Sequence, residues 1–453
     1  GDSGPPDSRP SDAARPDAPA ADASVPEPCR EVAAFEPVPI TRSPPNDFNL
    51  GVIARSPTGG AGRPVVVAYT SSNDASEMDV RRWIRPVDPR TGDSLVDERI
   101  VAFGEPRGPA YSGLVRAYYS DRDREGIAFT YSGGEGCVLR PIDATGEPTR
   151  PETRIADDAC LSARVGPDGN FILFFRGRDD SDLAYFAWLD ERNRIVRQTE
   201  PSEVLGASRD YDWTVRGGEI HIARGGAAGL EVGRWDVDRN AFVDVRLHPG
   251  VDATAPRIVL GPRPAVGWLE GPSGAVHFGL LDSAASVAVG IDSYPRAGWS
   301  AMWRGDELWL ATAESRGDDH AAARVAFTRL HADFSVRDQQ VVGNGSFPQR
   351  IRMVRTEAGA MIVNQALRRD LDGGHQVFTT PLHCADAPRP RSCEVGRLDP
   401  CAPVCDDTDG FVFTIEGCVE SHCNCVGPGC VIHPSRAACE AATSDCDRAL
   451  CQA

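Results

Sequence analysis

Two groups of residues at predicted turns and strand starts carry side chains suited to ligand recognition. The first group brings aromatic rings and guanidinium groups: Tyr111, Tyr211, Trp213, Tyr294, Arg296, Trp299, Phe347 and Arg350. The second group brings carboxylates that follow apolar runs: Asp74, Glu135, Asp179, Asp180, Asp182, Glu270, Glu314, Asp318, Asp319, Asp370 and Asp372. Sugars stack on aromatic rings and hydrogen-bond to polar edges, and carboxylates attract cations. Together the groups favour a carbohydrate or a cationic peptide as ligand.

From these groups we select nine ligand-binding candidates: Tyr111, Tyr211, Trp213, Tyr294, Arg296, Trp299, Arg350, Asp180 and Glu314. The alternative is that the aromatic rings pack inside the fold and the acids only keep loops soluble. A further set of arginines recurs at the strands that open each repeat, and several of them converging would bind an anion. This set comprises Arg55, Arg116, Arg164, Arg216, Arg257, Arg304 and Arg352.

The segment CDDTDGFVFTIE (405–416) is the nearest approach to a metal motif. Asp407, Asp409 and Glu416 match ligand positions of a calcium-binding loop, but Cys405 stands where the first carboxylate belongs. Calcium requires six or more oxygen ligands, so the competing interpretation is an acidic turn that enters a strand. No cofactor is expected, with calcium at this segment as the alternative, and no set of catalytic residues stands out.

Cysteine content indicates an oxidising compartment. Ten of the 14 cysteines fall between residues 393 and 451, which is the density of a disulfide-stapled module. Cys137 opens a predicted third strand and Cys160 lies just past the following fourth strand, so we expect them to be bridged. We also expect a bridge from Cys29 to Cys384, with Cys393 as the rival partner of Cys384.

Seven apolar runs recur along the chain, and the last five intervals between them are about 44 to 53 residues. The runs begin at residues 65, 126, 171, 219, 263, 307 and 360. Each run is the second of four short predicted strands separated by turns rich in Gly, Asp and Pro. Seven four-stranded antiparallel sheets around an axis make a β-propeller, so the predicted fold class is all-β.

The seventh unit lacks a fourth strand of its own. The segment EVAAFEPVPIT (31–41) supplies one, and it would lie beside residues 375–384 and remove an open sheet edge. This pairing would bring Cys29 and Cys384 together where a hairpin turn would otherwise stand.

The predicted domains follow from composition. Residues 1–28 form a tether rich in Pro, Asp and Ala, which cannot bury enough apolar surface to order itself. Residues 29–384 form the propeller, 385–392 a linker, and 393–453 a disulfide-rich module that is too small to be stable without staples.

Charge and hydropathy exclude several partners. The net charge is −18, so neither nucleic acid nor an anionic membrane is an expected partner. No apolar run approaches the roughly 18 residues of a membrane helix. The opening GDSG and its Pro/Ala/Asp tether resemble mature bacterial lipoproteins, which implies a lipid anchor before Gly1 and a location outside the cytosol, secreted or attached to the cell envelope.

The repeat resembles seven-bladed propellers at the level of architecture, without the Trp-Asp repeat signature or the sialidase Asp-box. The resemblance implies a monomeric binding or surface-interaction protein with its ligand site on one face of the ring. The alternative is a glycan-acting hydrolase or lyase that uses carboxylates on that face, one of them with a raised pKa.

Overall fold

A computed structural model shows a seven-bladed β-propeller of four-stranded antiparallel sheets. It describes these residues: 29–40, 46–53, 64–72, 80–95, 99–100, 116–119, 126–132, 136–143, 146–177, 183–206, 210–294, 298–314, 323–342, 346–367, 375–384, 397–398, 409–414, 417–422, 425–426, 436, 438 and 439.

The first three blades occupy the N-terminal half, and each blade is built from four strands that are consecutive in the chain. In blade 1 the strands are Asn46–Ile53, Val65–Ser72, Val80–Val87 and Arg99–Ile100. In blade 2 they are Arg116–Tyr119, Gly126–Ser132, Gly136–Ile142 and Thr153–Ala156. In blade 3 they are Ala159–Val165, Phe171–Arg176, Ala184–Leu189 and Ile195–Gln198, followed by a short helix, Glu203–Gly206.

Blades 4 to 7 follow the same order. In blade 4 the strands are Tyr211–Arg216, Glu219–Gly226, Gly229–Asp236 and Ala241–Pro249. In blade 5 they are Ala253–Val259, Ala265–Glu270, Ala275–Leu280 and Ser286–Asp292. In blade 6 they are Ser300–Arg304, Glu307–Glu314, Arg324–Leu330 and Val336–Val341. In blade 7 they are Ser346–Arg355, Gly359–Leu367, His375–Cys384 and, from the other end of the chain, Val32–Ala34 and Val38–Pro39.

The first strand of every blade lies innermost. Each first strand contacts the first strands of the blades on either side, and the first strand of blade 7 contacts that of blade 1, so the ring is closed. The second strands of blades 3, 5 and 6 are buried on both faces between neighbouring blades; in blade 3, for example, Phe171–Phe175 are all buried. Burial on both faces explains why these runs are continuously apolar in sequence.

Ring closure by the N-terminal segment is confirmed. Val32 pairs with Cys384, and Val38 pairs with Thr379, so the segment is the outermost strand of the last blade. Cys29 and Cys384 are bridged across a Cα separation of 5.2 Å. The bridge therefore joins the two ends of the propeller within one blade.

A buried ion cluster in blade 6 holds the same N-terminal segment, and no sequence pattern predicts it. The Glu307 carboxylate accepts hydrogen bonds from Arg329 at 2.8 Å and from Arg337. Arg329 also donates to the carbonyl oxygens of Cys29 and Arg30. Since Arg329 and Glu307 are almost fully buried, each depends on the other to offset its desolvation.

The second predicted bridge, Cys137–Cys160, is also present, with a sulfur–sulfur distance of 2.07 Å. Its place in the fold differs from the prediction. Cys160 lies within the first strand of blade 3, which begins at Ala159. In the prediction from the sequence, Cys160 lies before that strand, just past the fourth strand of blade 2. The bridge consequently joins two adjacent blades.

The C-terminal region contributes two small antiparallel sheets. One pairs Arg397–Leu398 with Cys425–Val426, and the other pairs Asp409–Thr414 with Gly417–His422. The tether 1–28 and the linker 385–392 lie outside the described residues. None of the helices in the described parts of the chain is long and apolar enough to cross a membrane.

Candidate functional site

The propeller has two faces that differ in which turns they carry. The upper face, where the sequence predicts the ligand site, carries the turns between second and third strands and those between successive blades. The lower face carries the turns between first and second and between third and fourth strands. Three of the nine candidates, Tyr111, Arg296 and Asp180, fall outside the described residues.

Two of the predicted ligand-binding aromatics are buried, which corrects their assignment. Trp213 is 1% exposed and Trp299 is fully buried. Their indole nitrogens donate to Ser162 Oγ at 2.7 Å and to Ala255 O at 3.0 Å, in each case on the first strand of the preceding blade. Both rings are therefore inter-blade packing groups, as the alternative interpretation holds, because only a large apolar ring with one donor fills the wedge between two inner strands.

The other described candidates lie on separate blades. Tyr211 opens blade 4, and its ring lies 4.7 Å from that of Phe174 in an apolar pocket whose volume of about 10 Å³ is close to that of one water site. Tyr294 precedes blade 6 and packs partly against the core of blades 6 and 7. Glu314 ends the second strand of blade 6, opposite Arg324. Arg350 lies at a register shift in blade 7 with a φ of 52°.

One predicted upper-face carboxylate has a partner suited to proton transfer. Glu270 Oε2 lies 2.7 Å from His277 Nε2, and its Oε1 accepts the Val251 backbone N–H at 2.7 Å. The imidazole also stacks on Trp268, at 5.4 Å between ring centres. The carboxylate therefore fixes the orientation of the imidazole, which is the arrangement of a general base and its positioning group.

A polar cleft lies between blades 4 and 5, on the opposite face from the prediction. Its volume is about 340 Å³, within the range of small-molecule sites. Its charged and polar lining is Arg216, Glu219, His221, Arg234, Asp244, Arg246 and Asp282. The cleft opens on the lower face, because Gly217 in the first turn of blade 4 and Asp282 in the last turn of blade 5 border it.

Register explains how one sheet face gathers these groups. Across blade 4, Arg216 is opposite Glu219, and His221 is opposite Arg234. Cross-strand partners share a face of the sheet, so these four side chains form one patch. The tight turn between the first two strands is made of Gly217 and Gly218, with φ of 59° and 82°, and this glycine pair adds no side chain of its own to the mouth of the cleft.

The upper half of the same interface is an ordinary apolar core. Ala223, Leu230 and Val232 of blade 4 pack against Val266 and Trp268 of blade 5. The core therefore stops half-way down, and the polar cleft occupies the space below it. A charged lining at a face that neighbouring blades fill with apolar side chains indicates a site rather than a packing defect.

Ion pairs order most of the cleft. Arg216 Nη1 lies 3.0 Å from Asp282 Oδ2 and thereby connects the two blades. Arg234 donates to Asp244 at 2.6 Å and also to Glu219. The Asp244 hydrogen bond raises the pKa of Arg234 above its usual value, so this guanidinium is a fixed charge.

His221 is the buried titratable residue among those that line the cleft. It is 9% exposed, and its Nε2 lies 4.0 Å from Glu219 Oε2. Burial lowers the pKa of His221, and the Glu219 carboxylate offsets part of that effect. The imidazole is consequently neutral at pH 7, with one nitrogen as donor and one as acceptor.

Sequence reasoning missed this cleft, although a signal exists. The second strand of blade 4 reads EIHIARG, with Glu219 and His221 alternating with apolar residues, whereas the second strands of blades 3 and 5 read FILFFR and AVGWLE. Alternation of polar and apolar residues means that one face of that strand is not packed on a core.

Arg55 lies outside the described residues, and the opening-strand arginines whose side chains are described do not form a single ring. Arg216 lies in the cleft, and Arg304 is buried, with its Nε 3.1 Å from Cys29 Sγ. Burial lowers the pKa of Arg304 to about 10. Arg164, Arg257 and Arg352 do share a role, since each donates to the carbonyl of the residue before it.

The calcium prediction cannot be assigned a geometry. Asp409 begins the strand Asp409–Thr414, while Asp407 and Glu416 lie outside the described residues. Within the described ranges, no three His, Cys, Asp or Glu side chains are grouped to hold a metal ion.

Comparisons with known proteins give a likeness of fold only. No protein family matches the chain, and no curated protein matches its sequence. A streptogramin B lyase structure is 13% identical, covers 78% of this chain and 98% of its own, and has a TM-score of 0.46. A mitotic checkpoint complex chain is 13% identical over 81% of this chain and 98% of its own, with a TM-score of 0.45. A protein of unknown function from Bacteroides caccae is 10% identical over 66% of this chain and 97% of its own, with a TM-score of 0.39.

Proposed function

We propose that this protein is an extracytoplasmic binding protein whose lower-face cleft between blades 4 and 5 takes a small polar ligand. The carrying observation is the cleft itself, which has about 340 Å³ of space lined by charged side chains where the inter-blade core would otherwise continue. A site of this size with convergent donors and acceptors suits a monosaccharide, an amino acid or a short peptide.

The cellular location is supported by covalent chemistry. The two disulfides in the propeller are consistent with an oxidising compartment outside the cytosol. We further propose that the chain is secreted or lipid-anchored, that it acts as a monomer, and that residues 393–453 form a disulfide-rich module.

The test is a ligand screen followed by closure of the cleft. The purified protein is titrated with neutral sugars, uronic acids, amino acids and dipeptides, and binding is measured by calorimetry. Asp282→Trp places an indole at the mouth of the cleft and should abolish binding of any hit, because Asp282 borders the cleft and is more than half exposed.

The matched control is His331→Trp, which adds the same ring to an exposed turn of blade 6 on the same face. Circular dichroism and thermal melting establish that both variants fold. The proposal fails if no member of the screen binds, or if Asp282→Trp binds a hit as well as His331→Trp does.

The pairing of Glu270 and His277 favours a second candidate function on the upper face. An imidazole held 2.7 Å from a carboxylate supplies a general base for a glycan-acting hydrolase or lyase. Glu270→Gln would keep the shape of the pair and remove the carboxylate that orients the His277 imidazole. Activity on a polysaccharide panel that is lost in Glu270→Gln would support the enzyme; absence of activity in the wild type would exclude it for that panel.

A further inference from the structure

We infer that the ligand of the lower-face cleft carries an oxyanion, either a carboxylate or a sulfate or phosphate group, which Arg246 and His221 hold with uptake of one proton. The inference rests on the proposed function and adds the chemical class of the ligand to it. Three features of the cleft support it: the charges of its lining, the burial of His221, and the effect of a bound anion on the protonation of that imidazole.

The first observation is the distribution of charge in the cleft. Two of its three guanidinium groups are engaged by carboxylates: Arg216 by Asp282, and Arg234 by Asp244 and Glu219. Arg246, on the fourth strand, makes no ion pair with any residue that the structure describes. It is thus the cation of the cleft with capacity for a ligand, and a guanidinium pairs best with a planar or tetrahedral oxyanion.

The second observation is independent of Arg246 and concerns His221. The residue is 9% exposed, lines the cleft, and forms no hydrogen bond with a described residue; its Nε2 lies 4.0 Å from Glu219 Oε2. The imidazole therefore keeps hydrogen-bonding capacity towards the cleft, which water satisfies until a ligand replaces it. A ligand oxygen in the cleft would supply the same hydrogen bond.

The charged groups that face His221 come from every element around it. Glu219 lies on the same strand, Arg216 on the first strand, Arg234 on the third strand and Asp282 on the turn of blade 5; burial has the largest effect, lowering the pKa of His221. The two arginines lower this pKa further, and the two carboxylates raise it. In the empty cleft the imidazole is therefore neutral near pH 7.

An anion bound beside His221 reverses that balance. The added negative charge favours the imidazolium and raises the pKa of His221 in the complex. Binding then takes up a proton wherever the pH lies between the pKa values of the free and the bound states. In that window affinity rises as pH falls, by up to about tenfold per pH unit for one proton.

Calorimetry with sodium sulfate tests this directly, because sulfate remains a dianion over the neutral and mildly acidic range and any proton taken up belongs to the protein. Titrations at constant ionic strength, at about pH 6 and about pH 8 and in two buffers of different ionisation enthalpy, give affinity and proton uptake together. Glucuronate serves as the carboxylate arm and distinguishes the two oxyanion sources.

The expected result has two parts. Arg246→Gln weakens sulfate binding about tenfold or more, whereas Arg239→Gln, which removes an equal charge from an exposed turn of the same blade, leaves it unchanged. His221→Gln still binds, more weakly, but neither takes up a proton nor responds to pH. His331→Gln, which removes an exposed histidine on the lower face, behaves as the wild type.

Two results overturn the inference. One is sulfate or glucuronate binding that Arg246→Gln and His221→Gln leave unchanged, since such binding would be adventitious. The other is a cleft that prefers neutral sugars or cationic peptides and binds them equally in Arg246→Gln; in that case the proposed function stands and only the ligand class is wrong. If Asp282→Trp has no effect on any ligand, the proposed function itself has failed.

Discussion

We expect the Cys29–Cys384 disulfide to add more to the free energy of unfolding than the Cys137–Cys160 disulfide, although all four cysteines are buried. The first closes a sequence separation of 355 residues and the second one of 23. In the chain-entropy relation the two loops are worth about 6 and about 3 kcal/mol at 25 °C. The difference arises in the unfolded chain, because the longer loop restricts many more conformations.

The assay compares two paired variants, so that no free thiol is left to exchange. Cys29→Ser/Cys384→Ser and Cys137→Ser/Cys160→Ser are melted by calorimetry without reductant. For a propeller of residues 29–384, an unfolding entropy of about 2.1 cal/mol/K per residue converts these losses to drops in Tm of about 8 °C and about 4 °C. The Arg329 hydrogen bonds to Cys29 O and Arg30 O keep the N-terminal strand seated in the first variant.

Equal drops in Tm for the two paired variants would refute the reasoning, as would a larger drop for the Cys137 pair. A mapped bridge from Cys384 to Cys393 in the wild type would refute the pairing itself. Loss of the folded state in the first variant alone would show that the ion cluster around Glu307 cannot hold the strand without the bridge.

Three further predictions follow from buried groups and from the domain boundaries. Glu307→Gln removes the buried counter-charge of Arg329, leaves it only the half-exposed carboxylate of Asp338 at 3.1 Å, and should cost about 3–5 kcal/mol in urea unfolding. Glu357→Gln, on the turn between the first two strands of blade 7, is the exposed control. A loss below about 1 kcal/mol in Glu307→Gln would contradict the cluster's role. Burial lowers the pKa values of His221, His248 and His383, so the unfolded state binds protons first and stability should fall as pH drops below about 6.5 towards the folded-state values. His248→Phe should flatten this slope, measured by urea unfolding at several pH values, and an unchanged slope would contradict it. Limited proteolysis should cut between residues 385 and 392 and release a disulfide-linked fragment of residues 393–453; cleavage within the propeller before the linker would contradict the domain division.

The architecture could be predicted because each blade repeats the same physical problem. Second strands such as FILFFR are buried on both faces and must be apolar throughout, so the repeat is visible without any structure. Closure by residues 31–41 followed from counting strands, and it is confirmed by the pairing of Val32 with Cys384. The error at Cys160 was one of strand boundary, since the strand starts at Ala159 and the bridge consequently crosses between blades.

The candidate site could not be predicted to the same extent. Trp213 and Trp299 have the residue type of a ligand platform, yet the depth of a ring in an inter-blade wedge depends on the neighbouring blade, not on the local sequence. The lower-face cleft exists because the apolar core between the sheets of blades 4 and 5 covers only part of the facing surface of blade 4. Predicting the cleft requires the register of the four strands of blade 4 and the position of the turn in blade 5. In the sequence, only the alternation of Glu219 and His221 with apolar residues indicates it.

A crystal structure of the protein bound to the tightest ligand from the screen tests most directly whether the lower-face cleft is the ligand site. We expect the ligand between blades 4 and 5, with an oxyanion within hydrogen-bond distance of Arg246 and of a His221 nitrogen. A ligand bound on the upper face, or in the pocket beside Tyr211, with the cleft unoccupied, would contradict it.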